Sequence, residues 1–237
     1  MNGLIDFHTH ILPQIDDGSK SIEESIKMVE LLAKQNVKTI VATPHFYANR
    51  IGISEFIEKR NTAYNKLRSK LKLSNIEILL GAEVKYYEGI SRLENLNQLC
   101  IEKSNLLLLE MPFARWTEFE IKELLELSCL KNITVVIAHI ERYIGFQNKS
   151  TIKRLRENGV LIQTNANFFT GFFTKHKACS MFKNGEIQFI GSDCHGSVYR
   201  PPHIAKAYEI IKKKHDSDFF EEYCSFIESF FDKKINS

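Results

Sequence analysis

Two histidines, His8 and His10, are separated by one residue at the end of the first apolar run of the chain. In an extended segment, residues two apart point to the same side of the backbone. A carboxylate follows closely, at Asp17 in Asp16-Asp17-Gly18. These side chains are ligand types for a divalent metal ion. An isolated His-x-His motif is more common on an ordinary surface strand, so the metal interpretation depends on what the rest of the chain adds.

Six further candidate ligands follow later apolar runs, each close to the C-terminal end of a predicted strand. They are His45, Glu83, Glu110, His139, Asp193 and His195, and Asn165 and Asn167 occupy the same place after the sixth strand. Taken singly, each has an ordinary structural explanation, such as a turn histidine or a helix cap. Taken together, five imidazoles and several carboxylates on one face are costly to bury unless a metal ion neutralises them.

The elements that position these residues alternate along the chain. The predicted strands, all short apolar runs, are Leu4–His8, Thr39–Thr43, Ile76–Gly81, Asn105–Met111, Thr134–Ala138, Val160–Gln163 and Ile187–Gly191. The predicted helices, all longer amphipathic segments, are Ile22–Gln35, Ile53–Leu71, Glu118–Leu130, Thr151–Glu157, Lys175–Lys183, Ile204–Lys214 and Phe219–Asp232. The first helix has the clearest start, because Ser21 is an N-cap residue and Glu24 follows three positions later.

Strands separated by helices predict consecutive βα units with a mostly parallel sheet, and therefore an α/β fold. Seven units without a linker of altered composition favour one closed or nearly closed barrel. An open, doubly wound sheet is the alternative, although no Gly-x-Gly-x-x-Gly motif follows the first strand. In a barrel, the C-terminal strand ends form a single mouth, where active sites lie. We therefore expect the candidate ligands to converge there.

The composition is that of an ordinary globular protein and narrows the class of function. With 237 residues, the chain is long enough for one barrel-sized domain, predicted over residues 1–237. A net charge of +3, from 32 basic and 29 acidic residues, argues against nucleic-acid or membrane-surface binding. Neither a signal peptide nor an apolar run long enough for membrane insertion is evident. Five widely spaced cysteines predict reduced thiols and a cytoplasmic location.

The chemistry of the candidate ligands favours a catalytic metal site. Histidines and carboxylates without clustered cysteines favour Zn²⁺, Mn²⁺ or Fe and disfavour structural zinc. Nine candidates exceed what one ion binds, so we expect two or three ions, with Glu83 as the bridging carboxylate. Such sites hydrolyse phosphoesters with a hydroxide activated between ions roughly 3.5–4 Å apart. Arg142, three residues after His139, and Arg200, five after His195, are the best-placed cations for substrate binding and catalysis.

The motifs together resemble the polymerase-and-histidinol-phosphatase (PHP) superfamily, and within it the metal-dependent bacterial protein-tyrosine phosphatases of capsule and exopolysaccharide operons. The segments that carry the resemblance are His8-Thr9-His10, Asp16-Asp17-Gly18, Thr43-Pro44-His45, Gly81-Ala82-Glu83, Ala138-His139-Ile140-Glu141-Arg142, Ser192-Asp193-Cys194-His195 and Arg200-Pro201-Pro202-His203. The resemblance implies the PHP fold, a distorted seven-stranded TIM-like barrel. It also implies a trinuclear site in which Mn is preferred and Fe or Zn are alternatives. The implied partner is the phosphotyrosine tail of a bacterial tyrosine kinase that controls polysaccharide synthesis.

Three alternatives stay open from the residues alone. Cys194 and Arg200 form a Cys-x5-Arg pattern, as in phosphatases that use a cysteine thiolate. The loop between them has one glycine and a bulky Val198-Tyr199 pair, so we interpret the match as a coincidence. In the second alternative, the metal site hydrolyses histidinol phosphate or another small phosphoester. The third is a non-catalytic module that metal ions stabilise.

Two further features bear on substrate and assembly. Four aromatic residues near the predicted mouth, Phe113, Trp116, Phe168 and Phe169, either stack on a substrate tyrosine ring or pack in the core. The oligomeric state is open, and the amphipathic segment Ser19–Gln35 is a candidate contact between subunits.

Overall fold

Strands and helices alternate in the computed structural model, which describes residues 3–215 and 217–231. The strands are β1 (Leu4–Thr9), β2 (Val37–Ala42), β3 (His45–Phe46), β4 (Glu77–Leu80), β5 (Glu83–Lys85), β6 (Leu106–Glu110), β7 (Thr134–Ile137), β8 (Leu161–Asn165) and β9 (Phe189–Gly191). The helices are α1 (Ile22–Lys34), α2 (Ile53–Lys70), α3 (Glu118–Ser128), α4 (Lys149–Glu157), α5 (Asn167–Thr170), α6 (Lys175–Lys183), α7 (Ala205–Lys214) and α8 (Ser217–Glu228). All seven predicted strands and seven predicted helices are confirmed, with ends that differ by a few residues. Asp232, the predicted end of the last helix, lies outside the described residues.

Two of the predicted strands, Thr39–Thr43 and Ile76–Gly81, are each followed by a short strand that was not predicted. After β2 the chain breaks at Pro44, which has no N–H to donate to the ladder, and pairs again as β3. After β4 it breaks at Gly81 and pairs again as β5. Pairing continues across both breaks, since the N–H of Gly81 donates to the carbonyl of Ala42 at 2.9 Å and that of Glu83 to Pro44 at 3.1 Å.

The described strands form two sheets in which every pair is parallel. One sheet has the order β1-β2-β4, and the other has the order β3-β5-β6-β7-β8-β9. The segment after β9 lies against β1, because the N–H of Asp193 donates to His8 at 2.8 Å and that of His10 to Cys194 at 3.0 Å. The α/β class with parallel strands is therefore confirmed, and the closed barrel of seven strands stays a prediction.

The leucine run of β6 shows how both faces of the strands are buried. Leu106 and Leu108 pack with Phe7 of β1 and Phe189 of β9 in one apolar cluster, and the alternate side chains pack in the larger cluster under the helices. Strands covered on both faces are uniformly apolar, which explains their unbroken hydrophobic sequences. No helix among the described residues is both long and apolar enough to cross a membrane.

Helix α1 begins as predicted. The Ser21 hydroxyl accepts a hydrogen bond from the N–H of Glu24, and Val29 and Leu32 are buried on the inner face. Ile22 and Ile26, which the pattern places on the same face, are only half-buried, since Met28 and Ser25 occupy the innermost positions. Gln35 at the end of this segment hydrogen-bonds to Pro202, Ile204 and Ala205 of the same chain.

Candidate metal centre

The nine predicted ligands all lie at one end of the parallel strands. Their donor atoms form three groups, each within 4.8 Å of one another: His10, Asp17, His45 and His195; His8, His10 and Asp193; and His45, Glu83 and Glu110. His139 joins them through Nε2, which lies 2.8 Å from Glu83 Oε1 and 3.6 Å from Glu110 Oε1. Seven of the nine are buried, His45 is half-buried, and Asp17 is exposed at the rim. The structure thus brings together every ligand predicted from the sequence.

Glu83 occupies the centre of this cluster. Its Oε2 lies 3.2 Å from His8 Nε2, 3.3 Å from His10 Nε2 and 3.1 Å from His45 Nδ1. Nevertheless, Oε2 and His45 Nδ1 are buried with no hydrogen-bond partner, because the angles do not suit hydrogen bonding. A buried carboxylate oxygen surrounded by imidazole nitrogens that do not donate to it is costly. A divalent cation between these atoms would satisfy them all, so the residues fit a metal site.

The paired histidines of β1 support the same conclusion. His8 Nε2 and His10 Nε2 face each other at 3.1 Å. His10 directs its Nδ1 at Asp16 Oδ2 at 2.7 Å, and His8 directs its Nδ1 at Gln163 Oε1 at 3.4 Å. These acceptors favour the N–H on Nδ1, so in the neutral rings, the form that binds a metal ion, the two Nε2 lone pairs face each other. Two nitrogens that each lie about 2.1 Å from one ion are separated by about 3 Å.

The carboxylates make the pocket strongly attractive to cations. Burial alone would lower the pKa of His8, but the charges of Glu83 and Asp193 raise it above the ordinary value. Burial also opposes protonation of His10, but Asp16 and its neighbours raise the pKa well above that value. In return, the histidines hold the pKa of Glu83 and of Asp193 well below the usual range despite burial. His195 differs, because burial and the adjacent His10 lower its pKa to about 4.

Metal affinity should therefore rise with pH through neutrality. An imidazole must lose its proton to bind a metal ion. The raised pKa values of His8 and His10 keep them protonated in the metal-free protein at and above their ordinary titration range, so binding releases protons. His195 is already neutral there and contributes none. Isothermal titration in buffers of different ionisation enthalpy measures this release. A flat affinity between about pH 6 and 8 without proton release would contradict it.

Asp193 links the cluster to the two predicted arginines. Its Oδ1 lies 3.7 Å from His8 Nε2 and 3.5 Å from His10 Nε2. Its Oδ2 accepts hydrogen bonds from Arg142 Nη2 at 2.5 Å and Arg200 Nη2 at 2.6 Å. Both guanidinium side chains are about one-third exposed, at 35% and 36%. They are therefore accessible to an anionic ligand that approaches the cluster from solvent.

The backbone around the cluster is strained and tightly packed. His139, Asp193 and Arg200 have φ values of 35°, 54° and 51°, a left-handed conformation that is rare for residues with a side chain. Such strain is concentrated at functional sites. Gly18 approaches His10 so closely that a Cβ would lie 2.4 Å from the His10 carbonyl oxygen. The glycine of Asp16-Asp17-Gly18 is thus required for the turn that brings the acidic pair to the histidines.

Comparison with known proteins identifies the family. Residues 4–226 match the sequence profile of the family described as "Capsular polysaccharide synthesis, CpsB/CapC". The chain belongs to the CpsB/CapC family. The tyrosine-protein phosphatase CpsB of Streptococcus pneumoniae is 33% identical over 227 residues, which cover 90% of this chain and 91% of that protein. The tyrosine-protein phosphatase YwqE of Bacillus subtilis is 31% identical over 222 residues, with 91% and 86% covered.

Solved structures show the same fold as this CpsB/CapC-family chain. One comes from the work on YwqE of B. subtilis and CpsB of S. pneumoniae, described there as metal-dependent tyrosine phosphatases. It has a TM-score of 0.81 and 24% identity, covering 98% of this chain and 96% of that one. The phosphotriesterase homology protein of Escherichia coli, solved with phosphate in its active site, has a TM-score of 0.55 and 9% identity. That match covers 97% of this chain and 99% of that one.

Three polar residues that support the site in this CpsB/CapC-family chain were not identified from the sequence. Asp16 Oδ2 accepts from His10 Nδ1 and, at 3.0 Å, from the N–H of His45. Gln163 Oε1 accepts from the N–H of His139 at 2.6 Å. Lys85 Nζ donates to Glu110 Oε2 at 2.9 Å. The position of Gln163 near the end of β8, two residues before Asn165, was the available signal, because inward-facing positions of a strand recur every second residue.

Replacing Asp16 with asparagine should weaken metal binding by roughly 10–100-fold, because carboxylates that orient a ligating histidine have effects of that size. The Asp16 pKa lies well below its usual range, since the His10 contact outweighs burial, so the carboxylate is charged at neutral pH. The measurement is competition with a metal chelator, with the melting temperature as a check on folding. An unchanged metal affinity in a folded variant would show that Asp16 does not orient His10.

Cys194 of this CpsB/CapC-family chain is not arranged as a nucleophile. Its side chain is fully buried, and burial raises the pKa of the thiol to about 12. A reactive cysteine needs the opposite shift and access to solvent. The loop that follows is closed on itself, because the N–H of His195 donates to the carbonyl of Arg200 at 3.0 Å. The Cys-x5-Arg pattern is therefore a coincidence, as the bulky residues within it predict.

Of the four aromatic residues predicted near the mouth, only Phe113 is exposed, at 48%, and Trp116, Phe168 and Phe169 are core residues. The Phe113 ring is stacked on Tyr143, with centroids 5.5 Å apart, and lies 5.8 Å from the His139 ring. The guanidinium of Arg142 lies 5.6 Å from the Phe113 ring centroid. Phe113 is thus the one member of this group that a ligand at the cluster can touch.

Proposed function

We propose that this CpsB/CapC-family protein is a metal-dependent protein-tyrosine phosphatase. The observation that carries the proposal is the Asp193 carboxylate, which lies near three imidazoles through one oxygen and contacts two arginines through the other. Hydrolysis of a phosphate monoester uses both halves of this arrangement, a metal site that would activate the water that attacks phosphorus and cations that bind the phosphoryl oxygens. The two curated relatives named above are tyrosine-protein phosphatases, which supports phosphotyrosine as the substrate.

We assign the metal ligands as the nine residues of the cluster, binding two or three divalent ions with Mn preferred and Fe or Zn as alternatives. They are His8, His10, Asp17, His45, Glu83, Glu110, His139, Asp193 and His195. When bound, such ions would act as Lewis acids toward the phosphoryl oxygens and would activate a water. Arg142 and Arg200 bind two phosphoryl oxygens with their planar, forked donors and orient the phosphorus toward the cluster. The Phe113 ring packs against the substrate's aromatic ring.

The substrate in this proposal is the phosphotyrosine tail of a bacterial tyrosine kinase that controls capsular or exopolysaccharide synthesis. Two features support a protein substrate: the half-exposed Phe113, with Arg142 beside it, and the one-third-exposed guanidinium side chains of Arg142 and Arg200. A flexible tail reaches such an open site, whereas a small phosphoester gains from enclosure. We place the protein in the cytoplasm in this proposal, because its five unpaired cysteines suit a reducing compartment.

We further propose that residues 1–237 form one domain, a distorted seven-stranded barrel. The count of seven treats β2 with β3, and β4 with β5, as single interrupted strands. Hydrogen bonds across both interruptions, and those that connect His8 and His10 to the segment after β9, support a closed barrel. Residues 1, 2, 216 and 232–237 lie outside the described residues.

The experiment that tests the substrate compares hydrolysis of a phosphotyrosine peptide and of histidinol phosphate by the Mn²⁺-loaded protein. We expect kcat/KM for the peptide to exceed that for histidinol phosphate by about 100-fold or more, because differences in binding of a few kcal/mol separate such substrates. A preference for histidinol phosphate would replace the substrate while leaving the proposed metal chemistry in place.

Replacing Cys194 with serine should leave phosphotyrosine hydrolysis within about twofold of the wild type, because a buried thiol with a raised pKa does not act as a nucleophile. The variant Cys194→Ala is tested as well, because the buried hydroxyl of serine could itself destabilise the protein. Cys129→Ser, at an exposed cysteine, is the matched control. Loss of activity in both Cys194 variants, with melting temperature and metal content unchanged, would indicate thiolate chemistry.

A further inference from the structure

An open groove of about 810 Å³ lies between helices α4 and α6, outside the metal centre. Its apolar part is formed by Ile140, Ile144, Ile152 and Met181. Helix α4 is weakly packed, since Leu155 is its one buried residue. The groove is therefore a gap between two neighbouring helices with apolar side chains in its lining, of which Ile144 and Ile152 are partly exposed.

The two helices that border this groove carry an unusual concentration of positive charge. They contain seven of the chain's 32 basic residues and one of its 29 acidic residues. The rest of the chain consequently has an excess of acidic residues. Lys149, Lys153 and Arg156 of α4 and Lys177 of α6 line the groove, against Glu157 and Glu186. The lining therefore carries four positive and two negative side chains, and Lys153 Nζ lies 3.7 Å from Glu157 Oε1. The net positive charge of this concave surface attracts a ligand of the opposite sign.

The groove leads toward the proposed phosphate-binding arginines. Helices α4 and α6 each connect parallel neighbouring strands, so both begin at the strand ends where the metal centre lies. At that end, Ile140 lines the groove and begins the 3₁₀ turn Ile140–Arg142, whose last residue hydrogen-bonds to Asp193. The groove therefore borders the turn that carries Arg142.

We propose that this groove binds an acidic segment of the phosphotyrosine-bearing protein substrate. This inference rests on the proposed function and specifies the class of substrate. Nine-residue helices are about 13 Å long, so the groove accommodates roughly four residues of extended peptide. Acidic side chains of such a peptide pair with the lysines along both edges, and its apolar side chains contact the floor. The concave shape fits a peptide chain better than the flat surface of a bilayer.

The test uses pairs of phosphotyrosine peptides with identical residues around the phosphotyrosine. One member of each pair has a four-residue extension of Asp, Glu and Leu, which a short linker separates from the phosphotyrosine segment. The other member has Asn and Gln in place of Asp and Glu. Extensions are placed on the N-terminal and the C-terminal side in turn. For the wild type, we expect kcat/KM to be about tenfold higher for the acidic peptide on one side, mainly through KM. The double variant Lys153→Glu/Lys177→Glu should abolish this preference.

The variant should hydrolyse the neutral peptide and para-nitrophenyl phosphate at the wild-type rate, because neither substituted lysine touches the metal centre. The control Lys27→Glu/Lys66→Glu makes the same charge change at exposed lysines of α1 and α2. Equal kcat/KM for acidic and neutral peptides on both sides would overturn the groove proposal and leave the phosphatase proposal intact. Absence of hydrolysis of every phosphotyrosine peptide, with para-nitrophenyl phosphate still cleaved, would overturn both. A third outcome would indicate that the groove binds a membrane surface instead. In it, the wild type and the control sediment with anionic phospholipid vesicles, the double variant does not, and no protein distinguishes acidic from neutral peptides.

Discussion

Replacing Glu83 with glutamine is expected to lower kcat/KM for a phosphotyrosine peptide by about 1000-fold or more. The size follows from the several kcal/mol of transition-state stabilisation that a metal site supplies, at about 1.4 kcal/mol per factor of ten. Glu83 contacts four histidines, and its buried Oε2 has no hydrogen-bond partner. Loss of its charge removes the carboxylate best placed to bridge ions. Metal content by mass spectrometry should fall together with activity.

The same substitution has a second expected effect that separates metal binding from folding. The Glu83 carboxylate is buried among imidazoles that it helps to keep protonated. When a neutral amide replaces it, these imidazoles can lose their protons, so the metal-free protein should stay folded. The matched control is Glu77→Gln, at an exposed glutamate that begins β4. Normal metal content and activity in a folded Glu83→Gln protein would remove Glu83 from the ligand set.

Replacing either arginine with lysine is expected to lower kcat/KM by about 100-fold, because a point charge replaces a forked donor aimed at the phosphoryl oxygens. Arg142 and Arg200 share Asp193 Oδ2, so each variant leaves one guanidinium in place. Metal content should stay at the wild-type value, in contrast to the Glu83 variant. The measurement pairs steady-state kinetics on the phosphotyrosine peptide with metal analysis of the same sample.

Arg68→Lys is the control for the arginine variants, since Arg68 is exposed on α2 and its guanidinium contacts the Leu73 carbonyl and no residue of the metal cluster. Inhibition by inorganic phosphate supplies an independent measure, because binding of phosphate should weaken in the arginine variants. Activity and phosphate inhibition that are both unchanged would show that the arginines only neutralise Asp193.

The sequence predicted the order of elements and the location of the site for a physical reason. Strands buried on both faces appear as continuous apolar runs, as in Leu106–Leu109, so they stand out from the amphipathic helices. The polar residue that ends each run then lies at the same end of the parallel strands. This is why the sequence alone assigns side chains as far apart along the chain as His8 and His195 to one cluster.

Other features depend on spatial relations that no local pattern encodes. In Asp16-Asp17, the sequence does not show which carboxylate faces solvent; Asp17 is exposed, and Asp16 holds His10. Nothing in the sequence distinguishes Gln163 from an ordinary strand residue. Its role in holding the His139 backbone follows only from the approach of His139 to β8. The interruption at Pro44 was visible as a proline, but the continued pairing of β3 was not. The groove depends on the spacing between two helices, which the amphipathic pattern of each helix leaves undetermined.

The central claim is that a cluster of divalent ions in this site hydrolyses phosphotyrosine. The most direct measurement removes all metal from the protein, restores Mn²⁺ in steps, and records bound ions per chain together with phosphotyrosine-peptide hydrolysis. We predict no activity in the metal-free protein and a rise in rate only as about two ions are bound per chain, since two-metal hydrolysis needs both. Full activity in protein freed of metal would contradict the account.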